Sequence, residues 1–139
     1  MQTILCAVDE SPGAAEAIAV AARLSKGLGL RLVIAHVVDG YRRTNGVDTD
    51  RLQAHRAGQL LLERVVHTHS LENVADRRGE VGNPASELSR IAGEEAAVVI
   101  VVGSRARYRR RRGRMSRLSA ELASTAPCAV VVVPPSSRR

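Results

Sequence analysis

The sequence contains no phenylalanine and no tryptophan, and its only aromatic residues are Tyr41 and Tyr108. A core must therefore be built from Val, Ile, Leu and Ala. Such a core suits buried parallel strands covered by alanine-rich helices. The same shortage argues against a dedicated single-strand nucleic-acid binder, which interleaves aromatics for base stacking. Cysteine is also scarce. Cys6 and Cys128 both fall in apolar, strand-like runs, which predicts two buried thiols in a reducing compartment and no disulfide scaffold. No apolar run approaches the length needed to span a bilayer. Met1 leads straight into ILCAV without a basic region or cleavage motif, so the expected location is cytoplasmic, with no membrane partner. The sequence offers no paired carboxylates, no nucleophile beside an evident base and no metal-ligand spacing. His67 and His69 do not share a helical face, and favourable charge at a helix C-terminus accounts for them. The expectation is a non-enzyme.

What the chain has in excess is arginine, in one place. The net charge of its 139 residues is +7, and eight arginines lie between Arg105 and Arg117 with no acid among them. The remainder is close to neutral. A concentrated patch of this kind attracts polyanions, and charge alone supplies nonspecific attraction to nucleic acid at low salt. The patch sits between an apolar run, Val98 to Val102, and a periodic apolar pattern that resumes at Leu118. That reads as a buried strand, a loop and a helix start. In open α/β sheets this junction is where anionic ligands are held.

The rest of the chain alternates in the same manner. Ile4 to Val8 reads as a first strand ended by Asp9, and Ser11-Pro12 as a helix start with serine at the N-cap. Ala14 to Leu28 follows as a helix, with Ala14, Ile18, Ala22 and Ser25 on its inward stripe and Gly27 and Gly29 ending it. Leu30 to Val38 is a second strand, where His36 reads as a packed core residue. Asp50 to His69 is a second helix, with Leu52, Leu60, Leu61, Val65 and Val66 as its apolar face. Asn73 to Val81 has few apolar residues and belongs at a sheet edge. Asn83-Pro84 opens a third helix, through about Glu95, with Ala85, Leu88, Ile91 and Ala92 inward. Ala96 to Val102 is a fourth strand, Ser116 to Thr125 a short helix and Ala129 to Val133 a fifth strand. The order βαβαβαβαβ predicts a single α/β domain over residues 1–135, with a parallel sheet and helices on both faces. Residues 136–139 read as a disordered tail.

Five fragments, ILCAVDES, RLVIAHVV, GNPASEL, VVIVVGSR and APCAVVVVP, occur in the order and at the intervals of one family. Over nearly its whole length the chain resembles the universal stress proteins. The resemblance implies a doubly wound five-stranded sheet of strand order 3-2-1-4-5. It also implies a homodimer formed by pairing the last strands, here Ala129 to Val133, an apolar edge suited to isologous pairing. Nucleotide-binding members of the family carry Gly, two residues, Gly, nine residues, then Gly and Ser or Thr. Here Gly103 fits the first position, Ala106 and Ser116 replace the other glycines, and Arg117 replaces Ser or Thr; Leu118 and Ser119 fit the positions that follow. By the same resemblance Asp9 meets adenine and ribose, and Ala7 and Val37 flank the base. The implied ligand is ATP with magnesium.

Glycines in such loops permit positive φ and close approach of backbone N–H groups to phosphate. With two of three replaced, either arginine side chains have taken over the anion, since guanidinium is a good phosphate ligand, or the nucleotide has been lost. Asp9 either contacts ligand or helps cap the first helix, and Gly103 either serves the loop or a simple chain reversal. Two functions follow. One is a regulatory stress-response protein whose bound nucleotide orders the arginine loop. The other is a dimeric interaction module, free of nucleotide, whose arginine loop engages acidic partners or nucleic acid; weak ATP hydrolysis is the most enzymatic activity the chain would support.

Overall fold

A computed structural model describes residues 2–9, 13–39, 48–104 and 117–135. The elements run β1 (Thr3–Ala7), α1 (Ala14–Leu28), β2 (Arg31–Asp39), α2 (Asp48–Thr68), β3 (Ala75–Gly82), α3 (Pro84–Glu94), β4 (Ala97–Gly103), α4 (Arg117–Thr125) and β5 (Ala129–Val133). The strands form one sheet in the order β3-β2-β1-β4-β5, with every neighbouring pair parallel. This is the α/β architecture that the alternation predicts and the strand order that the resemblance implies.

The topology explains the layers. The chain steps outward from β1 to β2 and β3, then returns across the sheet to β4 and β5. Right-handed crossovers made in opposite directions put their helices on opposite faces. One core accordingly joins Ala17, Ile18 and Ala21 of α1 and Leu62 and Val66 of α2 to Ile4, Cys6, Leu32, Ile34 and Val101. The other joins Ala85, Leu88 and Ile91 of α3 and Leu122 of α4 to Leu5, Val33, Ala35, Ile100 and Val102. Successive strand residues alternate between the two cores, as a period of two requires. Strands β1, β2 and β4 are covered on both faces, so they read in sequence as unbroken apolar runs.

Local signals fared unevenly. Asn83 is the N-cap of α3: its side-chain oxygen accepts from the Ser86 N–H at 3.0 Å, and Pro84 opens the helix. Gly29 caps the C-terminus of α1 with a left-handed φ of 68°. Gly27 lies within the helix. At the other end of α1 the N-cap is Gly13, not Ser11, which lies with Pro12 outside the described residues. The buried stripe of α1 is Ala17, Ile18, Ala21 and Ser25, rotated from the expected one; Ala14 and Ala22 are half-buried. Cys6 is fully buried, and burial pushes its thiol up to about 12. Cys128 is only half-buried and precedes β5, which corrects the expectation of two buried thiols. Among the described residues no helix is long and apolar enough to cross a membrane.

Strand β3 lies at an edge, and its polar face is held by ions rather than by a core. Arg78 donates to Glu95 at 2.7 Å and to Glu94 at 2.8 Å. Arg31 bridges Asp76 at 2.7 Å and Glu95 at 3.3 Å, and Arg90 reaches Glu94 at 2.7 Å. Hydrogen bonds from Arg78, then Arg90, hold the Glu94 carboxyl below its ordinary value. A carboxylate depressed by folding stabilises the fold above its unfolded pKa, and loses that contribution as pH falls through its folded value. The thermal midpoint should therefore decline on acidification through the carboxylate range, and Arg78→Gln should flatten part of that decline. Equal acid slopes in the two proteins would exclude the network as its source.

Candidate functional site

A cleft of about 680 Å³ opens at the carboxyl ends of the central strands. Its position follows from the topology, because crossovers leave β1 and β4 toward opposite faces and the crevice between them stays uncovered. The volume is within the range of small-molecule sites. Ala7, Val8 and Asp9 line it from the end of β1, Ala35 to Asp39 from β2, and Val102 and Gly103 from β4. Asn83, Pro84 and Leu88 close one side at the start of α3. Arg117, Leu118 and Glu121 close another at the start of α4, and Ala14 reaches it from α1. Three helix N-termini thus converge on one space. Each presents partial positive charge, which favours an anion. The walls between them are mainly aliphatic.

Of the site residues named from the sequence, the structure brings Ala7, Asp9, Val37, Gly103, Arg117 and Leu118 to this cleft. Ser119 is fully buried in α4 and is not among the lining residues. Ala106 and Ser116 lie outside the described residues, as do the arginines from Arg105 to Arg114. Arg117 itself is largely exposed, and its Nε lies 3.6 Å from a Glu121 carboxylate oxygen. An exposed pair of this kind is worth about 0.5 kcal/mol, so the guanidinium can leave it for a phosphate at little cost.

Gly103 has a geometric reason to be glycine. Its backbone is not in the left-handed region, and a Cβ there would lie 3.0 Å from the Gly13 carbonyl oxygen. The end of β4 packs directly on the backbone that begins α1. On its other side the Ser104 N–H donates to the Val133 carbonyl at 2.9 Å. The cleft floor is thus fixed from both flanks.

Sequence reasoning missed His36, Asp39, Asn83, Leu88 and Glu121 as cleft residues. His36, expected in the core, is half-buried and faces the cleft. The signal for Asp39 was available: like Asp9, it ends a strand that neighbours the switch point. Glu121 falls one helical turn after Arg117, which places it on the same face.

A model of the universal stress protein family matches residues 1–134. No curated protein matches the chain. Among solved structures, the universal stress protein UspA from Lactobacillus plantarum superposes with a TM-score of 0.77 at 21% identity, over 95% of this chain and 97% of that one. A universal stress protein in complex with cAMP gives 0.69 at 22%, over 97% and 98%. The universal stress protein from Archaeoglobus fulgidus in complex with dAMP gives 0.68 at 20%, over 96% and 98%. With the family pattern matched from the first strand to the end of the fifth, this chain belongs to the universal stress protein family.

Proposed function

We propose that the protein is a non-enzymatic regulator that binds an adenine nucleotide in the cleft between β1, β2 and β4. The observation that carries this reading is the convergence of Asp9, Val37, Gly103 and the α4 start on one aliphatic crevice faced by three helix N-termini. The cAMP and dAMP complexes of related proteins support the ligand class. Ala7, Ala35, Val37 and Leu88 supply an apolar slot for a base, and Asp9 supplies an acceptor for ribose or the exocyclic amine. Arg117 stands where the family pattern has Ser or Thr and brings a side-chain donor in its place. Magnesium would enter with the phosphates of ATP. Bound nucleotide then changes which partner the protein meets. The exposed β5 edge, with Val130 to Val132 half-buried, supports assembly of two copies through their last strands.

Calorimetric titration of the full chain with magnesium ATP at low salt tests the reading. Binding in the micromolar range is expected, and Asp9→Ala should weaken it about tenfold or more, the loss of one hydrogen bond to a charged group. Absence of heat with ATP, AMP and cAMP alike would end the nucleotide reading. A second reading rests on the eight arginines without an acid between Arg105 and Arg117. It predicts retention of a labelled oligonucleotide that disappears when Arg109, Arg110, Arg111 and Arg112 are changed to Ser, with ATP binding unaffected.

A further inference from the structure

Strand β1 ends at Ala7, and the two residues that follow carry it into the cleft. Val8 is held on both sides. Its N–H donates to the Ala35 carbonyl at 2.9 Å, and its carbonyl oxygen lies 2.7 Å from His36 Nδ1. A carbonyl can only accept, so the proton sits on Nδ1 and the tautomer is set by this contact. The imidazole is in turn confined by α2. A Cβ on Gly58 would lie 3.5 Å from the His36 Cδ2 and 3.1 Å from the Val38 Cγ2, so the helix rests on the ring through a residue without a side chain. The cross-strand partner of His36 is Gly79, where a Cβ would press on Gln59 and Leu62 of α2 at 3.2 and 3.3 Å. Two glycines, one on the helix and one on the neighbouring strand, let α2 lie close over this end of the sheet. The ring is thus met by the Val8 carbonyl on one side and by α2 on another.

We propose that His36 is a positioning residue of the cleft: by holding the Val8 carbonyl it fixes the path of β1 past its last ladder bond and so sets where the Asp9 carboxylate stands. The inference rests on the cleft being a ligand site, and it adds a residue that the family's loop pattern does not contain. A histidine serving only to fill space would need no donor aimed at Val8. A positioning histidine needs that donor, and the contact at 2.7 Å supplies it.

The test uses the full chain with His36→Leu, which keeps bulk and removes the donor, and His36→Asn and His36→Gln, which place an amide nitrogen near the Nδ1 and Nε2 positions respectively. Two readouts are taken: amide hydrogen exchange at Val8 without ligand, and affinity for ATP by calorimetry. His36→Leu is expected to speed Val8 exchange at least tenfold while α3 amides are unchanged, and to weaken ATP about tenfold. His36→Asn should restore both, and His36→Gln neither. In an Asp9→Ala background, His36→Leu should cost no further affinity, because the group it positions is gone. If His36→Leu does not fold, the comparison of Asn with Gln decides, and equal behaviour of the two overturns the proposal. If the natural protein binds ATP and His36→Leu binds it equally well, the proposal is overturned whatever the exchange rates show. If the natural protein binds no ATP, the nucleotide reading fails by itself. Accelerated Val8 exchange then still supports the positioning contact, and unchanged exchange overturns it.

Discussion

Replacing Gly103 by Val is expected to lower stability by about 3 kcal/mol, at the upper end of what overpacking usually costs, and to abolish the nucleotide binding proposed for the cleft. The cause is the 3.0 Å separation between a Cβ at this position and the Gly13 carbonyl oxygen, with the carbonyl carbon at 3.2 Å. Both atoms are backbone, so no rotamer change relieves the contact. The Gly13 carbonyl already accepts the Ala17 N–H at 3.1 Å, the first bond of α1. Pushing it aside therefore unwinds the start of the helix. Moving β4 instead strains the bond from Ser104 to Val133. Gly103→Ala meets the same oxygen with one methyl and should cost about 1 kcal/mol. Urea denaturation of the three proteins provides the check. If Gly103 were kept only for approach of a ligand, the Val variant would lose affinity and keep its stability. A midpoint unchanged by Val would thus refute the packing account and return the residue to the loop alone.

That contact also explains where the sequence was legible and where it was not. The strands could be read because a parallel sheet covered on both faces demands unbroken apolar runs, and Ile4 to Val8, Leu32 to Ala35 and Val99 to Val102 supply them. The α3 start could be read because Asn83 and Pro84 satisfy a purely local requirement, one orphan N–H and one fixed φ. The α1 start could not. Ser11-Pro12 carries the same local signature, yet the helix is capped at Gly13, whose backbone meets that of Gly103, a residue ninety positions away in the chain. Close backbone approach between distant segments leaves no mark in the sequence beyond two glycines. The cleft divides along the same line. Asp9 could be named because it ends a strand and Gly103 because it fits a spaced pattern, whereas Val37 came only through the family resemblance. His36 was not, since an apolar strand context says nothing about which end of the strand opens to solvent.

Leu62 and Leu60 give the plainest measure of a misread face, and Leu62→Ala is expected to cost about 2–5 kcal/mol where Leu60→Ala costs within about 0.5 kcal/mol. Both lie in the run QLLLER of α2, where three consecutive leucines make the periodicity ambiguous. The sequence pattern assigned Leu60 to the core. In the structure Leu60 is 66% exposed, as Leu52 is at 60%, while Leu62 is fully buried. The face is fixed by Gly58, which packs on His36 and Val38, and by Leu62 and Val66, each one turn further along. Glycine at the first of these positions is invisible to an apolar count, so the count shifted toward the leucines on either side. Truncating Leu62 leaves a cavity against Ile34 and Val66 in a core without aromatic rings, and short aliphatic neighbours collapse into such a space only in part. The same cavity lies under Gly79, so the Leu62 variant should also loosen the edge strand and speed exchange of β3 amides. Thermal and urea unfolding of the two variants side by side reads the helix orientation directly. Equal losses, or a larger loss at Leu60, would mean that α2 is turned relative to the sheet, and the confinement of His36 by Gly58 would go with it.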